Sequence, residues 1–166
     1  MLSSDETATF AAYNAGNLDF SDGVPTAEIA GLEGNPEYHV IENLGTYYVS
    51  FNVNSPMFEG MSAEDAATLR KALALFIDRD YIVTNIGQAD QVPAGSFIPA
   101  GCLDGTGKEF KNKDYFDPSA EAFESNVEEG KAMLESIGYK FDDSGMLSAE
   151  TPLSFTYLVN TPGSNV

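Results

Sequence analysis

Acyl transfer by an activated serine or cysteine needs a base that titrates near neutral pH, and this sequence has one histidine, His39, in a strand-like run beside Tyr38 and Val40. No Gly-x-Ser-x-Gly turn is present to lift a serine above a strand. Cys102 is the one cysteine, which excludes an intrachain disulfide and a zinc site of several thiolates, and after Gly101 it reads as a plain loop thiol. Paired carboxylates could do acid–base work on a glycoside, yet among 26 Asp and Glu such pairs carry no signal. Gly105-Thr106-Gly107-Lys108 approaches a phosphate loop but fails its spacing: Cys102 stands where the first glycine belongs, and Glu109 where a magnesium-binding hydroxyl belongs. Asp142-Asp143-Ser144-Gly145 has too few acids for a calcium loop and reads as a surface turn. Recognition is left, and its strongest candidate is Gly45-Thr46-Tyr47-Tyr48-Val49-Ser50-Phe51-Asn52. In a strand, adjacent tyrosines point to opposite faces, so one can pack while the other offers a ring and a hydroxyl to a ligand.

The charge narrows the partners. Eight Lys and Arg against 26 acids give a formal charge of −18, and a phosphate-rich partner, whether nucleic acid or anionic membrane, would find no basic face. Residues 1–69 hold eleven acids and no Lys or Arg, a solvated anionic surface that keeps the molecule soluble and exerts at most a screened pull on cations. With 43% hydrophobic residues the chain can still build a core, and 166 residues suit one ordinary domain. No run is long and apolar enough to span a membrane, and the first residues lack the layout of a secretion signal.

The elements that must position these residues alternate between helix and strand. Helices are expected over 5–14, capped by Ser4 or Asp5 and closed by Gly16; from Pro25 to about Leu32; over 62–77, with Ser62 as cap and Leu69, Leu73, Phe76 and Ile77 at three and four spacing; from Asp80 to Gly87; and from Asp117-Pro118 to Gly138, with Gly130 as a weak point. Strands are expected over 18–20, 38–44, 47–53 and 153–159. Residues 88–116 have no clear period, and a long irregular stretch of that kind is usually functional or pinned over the surface.

Several segments then line up, in order, with one family. Ala12-Tyr13-Asn14-Ala15-Gly16-Asn17-Leu18-Asp19-Phe20 with Val24-Pro25, Gly45-Thr46-Tyr47-Tyr48 through Phe51-Asn52, and Arg70-Lys71-Ala72-Leu73 into Ile77-Asp78-Arg79 and Ile82-Val83 resemble the solute-binding proteins of oligopeptide and dipeptide ABC importers. Gln91-Val92-Pro93-Ala94 to Phe97-Ile98-Pro99, Ala132-Met133-Leu134 to Gly138-Tyr139, and the strand from Leu153 to Asn160 continue the match over nearly the whole chain.

The resemblance implies an α/β fold of the type II periplasmic-binding-protein kind, with a mixed sheet flanked by helices, and residues 1–166 as a single domain forming part of the C-terminal lobe of a longer two-lobed receptor. Such a receptor is extracytoplasmic, periplasmic or anchored to the cell surface as a lipoprotein, and monomeric. It closes on a peptide held largely through its backbone as an added strand and delivers it to ABC permease subunits, with no catalytic residue, cofactor or metal. By position the pocket-lining segment is 43–48, which nominates Asn43, Gly45 and Tyr48 with Tyr47 as neighbour; because strict alternation sets Tyr48 opposite the other two, a local bend is required. Asp78-Arg79 reads as an ion pair and helix-end device. Residues 59–64 exceed the family's pattern and should lengthen the start of the following helix. Other ligands for the same fold are a nickel chelate, a haem or an oligosaccharide; an acidic hydrolase and an adhesive domain are the readings from other classes.

Overall fold

The computed structural model describes residues 3–110 and 114–159. The chain divides into two compact units, Met1–Glu42 with Tyr81–Val92 and Asn43–Asp80 with Pro93–Val166.

In the first unit, helix α1 (Glu6–Asn14) is defined by its ends. The Asp5 carboxylate accepts from the Ala8 N–H at 3.0 Å and fills one of the orphan donors of the first turn. Gly16, at φ 72°, closes the other end: its N–H donates to the Tyr13 carbonyl (2.9 Å) and that of Asn17 to the Ala12 carbonyl (2.9 Å), a Schellman pair. Pro25 directly precedes the short helix α2 (Thr26–Ile29), which tightens into a 3-10 turn, Ala30–Leu32. Tyr13 donates its hydroxyl to Glu37 (3.0 Å). None of the described residues of this unit is buried.

The second unit holds the core. Ser62 accepts from the Asp65 N–H (3.0 Å) and starts α3 (Ala63–Leu75), with Glu64 and Asp65 favourably placed in its first turn. Ala66, Leu69, Ala72 and Leu75 recur on one buried face, which packs on α5 (Phe123–Ser136). Leu69 and Ala72 are wholly inaccessible, and Phe58 and Leu134 join them in the same cluster. Gly130 does not break α5; it lies where the helices cross. A Cβ there would sit 3.0 Å from the Phe76 ring and 3.2 Å from the Ala72 carbonyl oxygen, so hydrogen is what the crossing admits. Asp117 and Pro118 precede the helix rather than open it: Asp117 accepts from the Ser119 N–H (3.0 Å), and α5 begins at Phe123. Its C-terminus is a second Schellman pair, Gly138 to Glu135 (3.0 Å) and Tyr139 to Leu134 (3.1 Å), with Tyr139 laid against the core.

Residues 59–62 form the turn and cap that lead into α3, and only Ala63 and Glu64 of the supernumerary stretch belong to the helix itself. Beyond α3, a single turn, α4 (Arg79–Tyr81), runs on as a π-helical turn, Ile82–Gly87, which ends at Gln88 in the left-handed region (φ 57°).

The expected mixed sheet is not formed among the described residues. Among the described residues, 18–20, 38–44, 47–53 and 153–159 make no β-ladder, and the β-pairings are two isolated antiparallel bridges, Leu103 with Glu109 and Phe141 with Leu147. The reason is physical: alternation says which face of a strand would be apolar, but a strand becomes regular structure only when a partner fills its row of N–H and C=O groups. Asn160, the last residue of the expected final strand, lies outside the described residues.

Candidate functional site

The nominated segment starts with a turn. The Gly45 N–H donates to the Asn43 carbonyl at 2.9 Å, a three-residue γ-turn about Leu44. From there residues 46–51 run extended, and among the described residues their main-chain N–H and C=O groups take no backbone partner. Phe51 ties the far end to the core, edge-on to Phe58 at 6.5 Å, while the Arg70 guanidinium lies 5.5 Å from the centroid of the same Phe58 ring.

Both tyrosines are exposed, and neither is packed inward. Tyr47 is 88% exposed, whereas Tyr48 meets Phe97 edge to face, centroids 5.6 Å apart at 84°. Phe97 in turn meets Tyr115 at 6.2 Å and 67°. One methyl of Leu44 is 3.2 Å from the place a Cβ on Gly101 would take, and Gly101, at φ 85°, has none. The structure therefore brings Asn43 and Gly45 together through the turn, and joins Tyr48 to two rings from the irregular stretch.

That stretch is held from behind. The Tyr115 N–H donates to the Gly95 carbonyl (2.9 Å), and a Cβ at Gly95 would come within 2.9 Å of the Phe116 carbonyl oxygen, a close approach that glycine permits. Arg79 lies over the Phe116 ring, 4.2 Å from its centroid, and its Nη1 donates to the carbonyls of Ala74 (2.9 Å) and Ile77 (3.0 Å). One guanidinium thus caps α3 and fastens residue 116, the helix-end role expected of it; its partial burial lowers its proton affinity below the ordinary value. Phe97 and Tyr115 were absent from the sequence-based site. The signal for them was the aperiodic run 88–116, with aromatics set among prolines and glycines.

The motifs excluded on spacing are turns of one design. Asp104 accepts through one carboxylate oxygen from the Thr106 N–H (2.7 Å), the Thr106 hydroxyl (2.7 Å) and the Lys108 N–H (3.0 Å), and Gly107 follows at φ 80°. Asp142 does the same with the Ser144 N–H (2.9 Å), the Ser144 hydroxyl (2.6 Å) and the Met146 N–H (3.1 Å), with Gly145 at φ 77°. Of the amides a phosphate would need at 104–108, those of Thr106 and Lys108 donate to the Asp104 carboxylate, and those of Gly107 and Asp104 donate to the carbonyls of Asp104 and Lys108. In each turn the hydroxyl, then the amides, stabilise the anion and hold the Asp below the usual carboxylate range. His39 is exposed, and among the described residues no three His, Cys, Asp or Glu are grouped to hold a metal.

The class is settled by comparison with known proteins: the profile of the bacterial extracellular solute-binding proteins, family 5 (middle part), matches residues 1–165, and the chain belongs to that family. That family is one of solute-binding proteins and not of enzymes. Among its relatives, the periplasmic oligopeptide-binding protein OppA of Haemophilus influenzae is 30% identical over 154 residues, 91% of this chain and 25% of the relative. The dipeptide-binding protein DppE of Bacillus subtilis is 26% identical over 148 residues, 89% of this chain and 25% of the relative. The periplasmic oligopeptide-binding protein OppA of Escherichia coli K12 is 28% identical over 152 residues, 90% and 24% respectively. The chain spans about a quarter of the length of these curated relatives. No helix among the described residues is long and apolar enough to cross a membrane.

Proposed function

We propose that this chain is part of the C-terminal lobe of the substrate-binding component of a peptide ABC importer. It works outside the cytoplasm as a monomer, captures oligopeptides or dipeptides, and hands them to permease subunits. The observation that carries this reading is the 43–51 segment: a γ-turn followed by extended main chain whose donors and acceptors are unpaired among the described residues, in a family of solute-binding proteins. A peptide laid along it gains main-chain hydrogen bonds whatever its sequence, with Asn43, Gly45, Tyr47 and Tyr48 as the contact residues. The relatives' names, oligopeptide- and dipeptide-binding, favour the same ligand class. Closing a second wall over the ligand would exclude water, so a single lobe should hold a peptide weakly.

The test is native mass spectrometry and calorimetry on the natural reading frame that encodes this chain, expressed in full. The expected result is one tightly bound peptide of two to a few residues per molecule and little heat from the 166-residue chain alone. A nickel chelate, a haem or an oligosaccharide recovered in the peptide's place would overturn the ligand assignment, and tight peptide binding by the 166-residue chain would overturn the two-wall account.

A further inference from the structure

We propose that Tyr48, Phe97 and Tyr115 form a subsite for one aromatic side chain of the bound ligand, and so set its side-chain preference. The proposal rests on the peptide reading above and goes beyond its main-chain contacts. The three rings form a row of edge-to-face contacts, 5.6 Å and 6.2 Å between centroids, yet remain 68%, 61% and 64% exposed. Rings packed only for stability would be covered; these keep their outer faces and edges open to a further ring, the geometry aromatic groups prefer.

The main chain that carries Tyr115 is also tied in place. Gly95 and Tyr115 are joined through the main chain, Arg79 fastens Phe116 to the end of α3, and Leu44 seats on Gly101.

Position supplies the occupant. Tyr48 belongs to the unpaired extended segment, and a chain pairing there projects a side chain to the same face at every second residue. A ligand strand along 46–48 therefore brings a side chain toward the row. The rings bring no formal charge of their own, which suits an uncharged aromatic group.

The experiment uses the full natural reading frame and measures affinity for trialanine and for the three tripeptides in which one alanine is replaced by phenylalanine. One of the three should bind about three- to tenfold more tightly than trialanine, the worth of one added aromatic pair. F97A and Y115A should each bring that ratio close to one, while F97Y keeps the ratio. A ratio that survives in F97A overturns the proposal, as does an equal loss for all four peptides. A fall in melting temperature for F97A with the ratio intact would mean that the rest of the chain covers the row, and also overturns it. If none of the four peptides binds the unaltered protein, the peptide reading itself fails and the subsite with it.

Discussion

The two compact units form their helices by the same local rules but hold them in different ways. α1 has an aspartate cap at one end and a glycine Schellman closure at the other, as good as the serine cap of α3 and the glycine closure of α5. Yet none of the described residues in the first unit is buried, while α3 and α5 press Leu69, Ala72 and Leu134 out of water. The first unit also holds nine acidic residues and no lysine or arginine, so it gains nothing from internal ion pairs of those types. Caps start and stop helices for about 1 kcal/mol each, whereas burial of an apolar face makes them persist. The comparison places rigidity in the second unit, which carries the proposed site, and expects the lowest hydrogen-exchange protection in α1.

The most severe challenge to that contrast is Leu69→Ala. It opens a cavity at a fully inaccessible position between α3 and α5 and should cost about 2–5 kcal/mol in urea unfolding followed by circular dichroism. A cost under about 1 kcal/mol would mean that the second unit does not depend on this core.

Gly130→Ala comes next. Alanine improves helix propensity by about 1 kcal/mol, but its methyl group would meet the Phe76 ring at 3.0 Å and the Ala72 carbonyl at 3.2 Å, and overpacking costs about 1–3 kcal/mol. A net loss is expected in the same unfolding assay; a gain would show that the helices can separate freely.

The paired turns give a smaller effect that depends on pH. Asp104 and Asp142 have folded pKa values below their unfolded value of about 3.9, so the stability they lend is complete above that value and disappears as pH falls through the folded values. Between pH 5 and pH 2 the double variant Asp104→Asn/Asp142→Asn should lose less stability than the parent chain; parallel curves would count against the turns.

The smallest effect belongs to the first unit. Tyr13 donates to Glu37, and this bond together with the carboxylate's charge raises the phenol above its ordinary value. Its contribution is complete below about pH 10 and is lost as pH rises through the folded value. Tyr13→Phe should therefore lower melting slightly at pH 7, by no more than one exposed hydrogen bond, and flatten the dependence on pH above 10. A clear loss at neutral pH would assign the first unit more cohesion than its exposure allows.

Much of this architecture was legible in the residues. Asp5, Gly16, Ser62 and Gly138 each mark a helix end through a bond to a near neighbour, and such bonds are written locally. Gly130 misled in the expected direction: in isolation it weakens a helix, and only the presence of Phe76 and Ala72 across the crossing gives it a purpose. The strands were half legible, because Val, Ile, Tyr and Phe announce an extended segment without naming the segment that would pair with it. Tyr48 could be singled out from its own segment, but Phe97 reaches it, and Tyr115 reaches Phe97, from far along the chain through contacts without a periodic signature.

The central claim is that a peptide binds by adding its main chain to residues 43–51, and methylation of single amides tests it most directly. With the full natural reading frame, the affinity of tetra-alanine is compared with that of two analogues, each N-methylated at one of two successive amides. The account predicts that one analogue, whose methylated nitrogen faces the segment, loses at least about tenfold, a little more than one net hydrogen bond, while the other binds as the parent does. Equal affinity for all three would contradict it, and would move the recognition from the main chain to the side chains alone.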